Sequence, residues 1–216
     1  MHVEVPKAHS LKEFGREYLM IVVSIVTALA LEHGVQTMHH RHLAHEAALR
    51  VDEEMQANVH ELDKVLAHNK AEAGKLKTLR DQMQAALLEK EKNHNGPKLL
   101  LDAKVGLNIM APTLRREAWE VAVSSQAASW MQQKELETYS SVYANMRDLQ
   151  TSIGGSSNSL LNGPALLDVL SNYEIGEGDP KALYRVLKQM IATYDSLDEN
   201  LQTVRDGLAK AASQSH

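Results

Sequence analysis

Cysteine is absent from this sequence, which excludes disulfides, thiolate metal sites and cysteine nucleophiles and leaves the redox compartment open. Aromatic residues are scarce: one Phe, two Trp and six Tyr in 216 residues. That composition disfavours a β-rich core and favours helices packed through Leu, Ala and Met. A surplus of positive charge is also missing. Lys and Arg number 23 against 28 Asp and Glu, the net charge is −5 and the pI about 6.1, so general nucleic-acid binding is disfavoured. No G-x-S-x-G, H-E-x-x-H, phosphate-binding Gly loop or EF-hand loop occurs, so the sequence points to no enzyme and no resident cofactor. With 44% hydrophobic residues, the composition is that of a chain that buries a core rather than one disordered along its whole length.

What is present begins with an apolar run. Tyr18 to Leu31 contains no charged residue, and apolar character resumes at Val35 and Met38 beyond Glu32 and His33. From Tyr18 to Met38 a helix rises about 31 Å, enough to cross a hydrocarbon core of roughly 30 Å. The run is apolar on every side, as a lipid-facing helix requires. A competing reading is signal-peptide cleavage at Ala28-Leu29-Ala30, but no Pro or Gly breaker lies between the run and that site, and helical pattern continues past it. Lys7, Lys12 and Arg16 precede the span and Arg41 and Arg50 follow it, which places the remainder on the far side of a bacterial inner membrane, in the periplasm. Glu32 and His33 either reach water at the far interface or pair with a neighbouring membrane helix.

The expected fold is all-α: one N-terminal transmembrane helix continuing into an antiparallel helical bundle or coiled-coil domain. Residues 1–17 form a short N-terminal segment, 18–38 the transmembrane helix, 39–93 a juxtamembrane long helix, and 94–216 the remainder of the bundle. Met55, Val59, Leu62, Leu66, Asn69, Ala73, Leu76, Arg80, Met83 and Leu87 follow alternating strides of four and three, an a/d seam. No Pro falls between Leu19 and Asn95, so anchor and seam form one helix, with Gly34 and Gly74 as points of flexure and Asn95-Gly96-Pro97 as its stop. Leu99 to Met110 reads as a loop or short helix tucked against the domain. Thr113 is placed to cap a helix carrying Trp119, Val123, Ala127 and Trp130 on one face. Gln132-Gln133 marks a turn before a helix with Leu136, Tyr139, Val142, Tyr143, Met146 and Leu149, which loosens at Gly154-Gly155. After Gly176, Gly178, Asp179 and Pro180, a second seam runs through Leu183, Leu187, Met190, Tyr194, Leu197, Leu201, Val204 and Leu208 without exception. Each seam closes either within the chain or against a second copy.

Few residues are candidates for a function. His39, His42, His45 and Glu46 fall along one side of the helix just past the span, a donor set that zinc, copper or iron would accept. Against that, ligands in consecutive turns of one helix splay along its axis, and the plain alternative is a polar collar at headgroup level. Asn69 and Arg80 lie at the bundle edge, or Asn69 fixes register or partner number. Trp119 and Trp130, eleven residues apart, are core or interface anchors. The carboxylate pairs Glu53-Glu54 and Glu117-Glu120 have ordinary surface spacing and are expected to be solvated.

Two stretches, LKEFGREYLMIVVSIVTALALEHGVQ (Leu11 to Gln36) and REAWEVAVSSQAASWM (Arg116 to Met131), resemble uncharacterised bacterial single-pass membrane proteins with a C-terminal helical domain. The resemblance implies the anchored architecture and brings no activity. The expectation from the sequence is a non-catalytic membrane-anchored accessory or scaffold subunit. Its partners are the lipid bilayer and other membrane protein subunits, or copies of itself, with Glu32, His33, Asn69, Trp119 and Trp130 as interaction residues. The alternatives are a metal- or ligand-binding sensor using the His cluster, and a subunit that ligates a tetrapyrrole through His33 or His40.

Overall fold

A computed structural model describes residues 11–88, 109–156 and 163–214, and among these the protein is all-α. The described residues form five α-helices: α1 Leu11–Leu88, α2 Glu117–Ser124, α3 Gln133–Ser156, α4 Gly163–Glu174 and α5 Pro180–Gln214. A 3₁₀ turn, Ala127–Trp130, joins α2 to α3. The expected stop at Asn95-Gly96-Pro97 and the segment before Ile109 lie outside the described residues.

Helix α1 is continuous over 78 residues, as the lack of proline requires. It has two unlike halves. From Phe14 to Gln36 every residue is exposed, including Tyr18, Leu19, Met20, Ile21, Val23, Ile25, Val26, Leu29 and Leu31. This stretch has the length and apolar composition to cross a membrane. Its hydroxyls are satisfied internally, Ser24 Oγ donating to the Met20 carbonyl and Thr27 Oγ1 to that of Val23, both at 2.8 Å. From Ala44 onward the helix is the spine of a bundle.

Helix α5 runs antiparallel to α1 over most of that spine. Arg205 Nε bonds Asp63 at 2.8 Å, and Lys77 Nζ bonds Asp195 at 2.8 Å. The α5 seam is buried as its strides require, with Val204 only partly covered. Both seams close within one chain. The core has two parts. One joins Val51, Met55 and Leu62 of α1 to Tyr139, Tyr143 and Met146 of α3 and Leu201 and Leu208 of α5. The other joins Leu76, Leu79 and Met83 to Leu166 and Val169 of α4 and Leu183, Leu187 and Met190 of α5.

The buried stripe on α1 is wider than an a/d seam. Asn58, Val65 and Leu79 are buried, whereas the neighbouring seam positions Val59, Leu66 and Arg80 are only half-covered. The reason is that α1 receives α5 on one flank and the 109–130 chain on the other, so its contact arc exceeds the width of a two-helix seam.

The α4–α5 corner forms as its glycines and proline dictate. Gly176 is left-handed at φ 81°, with its N–H donating to the Tyr173 carbonyl and that of Glu177 to the Asn172 carbonyl, a Schellman ending. Asp179 then caps α5, accepting from Lys181 N at 2.9 Å, with Pro180 at the first helical position. The Tyr173 ring lies directly on Gly178, where a Cβ would collide with it.

Gly178→Ala is therefore expected to destabilise the fold by about 1–3 kcal/mol through overpacking. Gly74→Ala, at an exposed helical site with open space around it, is expected to stabilise by about 1 kcal/mol. Thermal unfolding of the full chain in detergent, followed by circular dichroism, reads both, and a Gly178→Ala midpoint equal to wild type would contradict the packing at that corner.

Candidate functional site

The polar residues buried on α1 form a ladder, and it serves the chain itself. Asn58 and Asn69 are 1% and 0% exposed. Asn69 Nδ2 donates to the Met110 carbonyl at 3.0 Å while its Oδ1 accepts from Met110 N at 2.9 Å. Asn58 repeats the pattern with Arg115, donating at 2.9 Å and accepting at 2.8 Å. Each side-chain amide thus pairs with one backbone residue as a β-strand neighbour would. The spacing is matched: eleven helical residues rise about 16 Å, and the five steps from Met110 to Arg115 cover about the same length when extended. Gln150 of α3 donates to the Leu114 carbonyl at 3.1 Å between them.

One turn below Asn58, Glu54 receives the start of α2. Its Oε2 accepts from Ala118 N at 2.8 Å and its Oε1 from Trp119 N at 3.4 Å, the second and third positions of that helix. A carboxylate there satisfies open N–H groups and complements the helix dipole. Tyr143 donates to the same Oε1 at 2.6 Å, and Tyr139 donates to Asp52 at 2.9 Å. Burial, then the bond to Glu54, pushes the Tyr143 phenol well above its usual range.

These contacts correct several expectations. Thr113 does not cap α2; Arg116 stands at the N-cap and its side chain makes no capping bond, and the cap comes from Glu54 across the bundle. Glu54 is buried rather than solvated, because it is the one of its pair that faces α2. Glu117 and Glu120 are exposed, Glu120 pairing with Arg116 at 3.4 Å. Asn69 is not at an edge and faces no second helix copy, since Met110 uses both ends of its amide. Trp119 and Trp130 do not share a helix face: Gln126, left-handed at φ 64°, breaks the helix between them. Trp119 packs into the core on Tyr143, with ring centroids 5.5 Å apart, whereas Trp130 stays 51% exposed.

Just past the span, the histidines divide between two sides of α1. His39, His42 and His45 are exposed, and His42 Nε2 lies 3.3 Å from Glu46. Among the described residues no group of three or more His, Cys, Asp or Glu side chains is placed to hold a metal ion, so His39, His42, His45 and Glu46 of one chain make no preformed site. The physical reason is the splay of ligands along a single helix. His40 points to the other side and stacks on Trp130, centroids 3.8 Å apart and planes 9° from parallel. Sequence reasoning passed over His40 in this role; it lies one helical turn before the buried Ala44. A notch of about 230 Å³ lies there, lined by His33, Gln36, Thr37, His40, Arg41 and Trp130. Glu32 is exposed and accepts from Gln36 Nε2 at 3.3 Å.

An open cleft of about 340 Å³ separates α3 from α5, walled by Val142, Asn145, Asp148, Leu149, Ser152, Asn200, Thr203, Val204 and Gly207. Its lining mixes amides and hydroxyls with aliphatic groups and contains one carboxylate.

Replacing Asn58 or Asn69 with Leu keeps the branched outline of the side chain and deletes both bonds. Each buried backbone group left unpaired costs about 1–3 kcal/mol, so amide exchange across residues 109–119 is expected to accelerate at least tenfold in either variant. Exchange unchanged from wild type would show that the amides do not hold this segment. The tyrosines give a pH test. The Tyr194 phenol is pushed up to about 12, first by burial and then by Glu72 and Asp198. A folded-state pKa above that of the unfolded chain contributes stability that is full below about pH 10 and lost as pH rises through the folded value. Denaturation midpoints are therefore expected to fall between pH 10 and 12, and less steeply in Tyr194→Phe. No family model, curated protein or solved structure matches this chain.

Proposed function

We propose that this chain is a non-catalytic, membrane-anchored accessory or scaffold subunit whose bundle lies on the periplasmic side of a bacterial inner membrane. The observation that carries the reading is the bare N-terminal half of α1. Nine large apolar side chains between Tyr18 and Leu31 are more than half exposed. Transferring them out of water is worth on the order of 10–30 kcal/mol, at least as much as the stability of a whole domain. Lipid, alone or with a neighbouring membrane helix, is the environment that fits a helix apolar all round with its hydroxyls bonded internally. Lys12 and Arg16 before the span favour an inward N-terminus.

The absence of a role for the buried polar groups beyond the fold supports a scaffold over an enzyme. Asp52, Glu54, Asn58 and Asn69 each bond the chain itself. The regular, exposed polar faces of α3 and α5 and the cleft between them remain as docking surface for other subunits.

Fractionation of cells expressing the full chain tests this directly. The expected result is retention in the membrane pellet through alkaline carbonate, release by mild detergent, and co-elution with a stoichiometric protein partner or as a homo-oligomer. Protease added outside the inner membrane is expected to digest the bundle. Recovery of the intact chain in a detergent-free supernatant would refute the anchor, and elution as a lone monomer would refute the subunit role.

A further inference from the structure

The domain touches α1 in strict descending order. Met110 lies at Asn69, Arg115 at Asn58, Ala118 at Glu54 and Trp130 at His40. Trp130 is thus the described part of the 109–130 chain closest to the apolar span. His40 is two residues past Met38, about 3 Å along the axis. If the span occupies the hydrocarbon core, the indole lies in the headgroup layer, where Trp is favoured because it is apolar in body and polar at one edge.

The notch beneath this ring has the chemistry of an anion seat. Arg41 makes no ion pair among the described residues, and its planar guanidinium suits a phosphate better than an ammonium would. His40 Nδ1 is buried without a hydrogen-bond partner. The carboxylate one turn before Gln36, Glu32, does not line the notch and is engaged by Gln36, which does. The volume of about 230 Å³ is several times the roughly 30 Å³ of one water, enough for a phosphodiester group.

We propose that this notch seats the headgroup phosphate of an anionic membrane phospholipid, with Arg41 as its cation and Trp130 as its lipid-facing wall, so that the α2–3₁₀ segment forms a second membrane contact beside the anchor. The proposal rests on the anchored reading above. Continuity with the end of the span selects lipid as the occupant. The seat fixes the rotation of α1 about its own axis relative to the membrane plane, which a single spanning helix leaves free.

The chain has only two tryptophans, so each can be made the sole reporter. Full-length Trp119→Phe is reconstituted into vesicles of phosphatidylglycerol and phosphatidylcholine with acyl chains brominated near the carbonyl or near the methyl end. Trp130 emission is expected to drop by about half with bromine near the carbonyl and much less with deep bromine. Trp130→Phe, which leaves Trp119 in the core, is expected to show no quenching. Arg41→Gln is expected to remove the excess quenching by brominated phosphatidylglycerol over phosphatidylcholine. If Trp119→Phe does not fold, a nitroxide on Ser129→Cys, the sole cysteine, reports depth instead. Vesicles that float with the chain while Trp130 stays unquenched would overturn the lipid contact and leave the anchor standing. Quenching indifferent to lipid charge and to Arg41→Gln would overturn the phosphate seat. A chain that does not float with vesicles at all would remove the anchor, and the proposal with it.

Discussion

Two asparagine side chains on one helix, spaced to match an extended segment of the same chain, determine how the rest of this domain is arranged. A helix presents no free backbone groups along its flank, so an extended segment lying on it would leave its own N–H and C=O groups buried and unpaired. Asn58 and Asn69 supply what the helix backbone lacks, one donor and one acceptor each, at a separation equal to the length of the segment. The segment is then held in register, α2 starts where Glu54 can receive its N–H groups, and α3 leaves at an angle that sets Tyr139 and Tyr143 over Asp52 and Glu54. Packing alone would not select this register, because apolar contacts are non-directional.

That arrangement explains why a carboxylate-rich stretch of α1 is buried without cations. Asp52 and Glu54 meet phenol hydroxyls and the N-terminal amides of a helix, which offer hydrogen bonds and a partial positive charge without a long flexible side chain to order. It also explains the placement of function-bearing surface. The buried asparagines and carboxylates of α1 are used up by the chain itself, and the polar surface left over lies outside: the histidine face, the cleft between α3 and α5, and the notch under Trp130. Such a distribution suits a protein that acts by where it stands and what rests on it.

Much of the fold was legible in the residue pattern. The absence of proline between Leu19 and Asn95 implied one long first helix; the second seam placed seven of the ten buried hydrophobic residues of α5; Gly176, Asp179 and Pro180 located the sharpest corner. These signals are local or strictly periodic, and each reflects a backbone preference that no tertiary contact has to supply. The site was less legible. His40, one turn before the buried Ala44, was overlooked beside the denser set at His39, His42, His45 and Glu46, because clustering in sequence is not convergence in space. The shared face assumed for Trp119 and Trp130 failed at Gln126, whose left-handed conformation carries no glycine to announce it.

The sequence by itself determined that this protein is helical, that its first helix begins apolar on all sides and ends amphipathic, and where its last helix starts. It did so because hydrophobic period, proline and glycine act on the few residues around them. Only the tertiary structure decided that both seams close within one chain, that Asn58, Asn69 and Glu54 hold backbone rather than face solvent or a partner, and that Trp130 comes to rest on His40. Those outcomes depend on pairs as far apart as Asp63 and Arg205, 142 positions along the chain, and a buried asparagine has the same appearance in sequence whether its amide meets water, another subunit or its own chain.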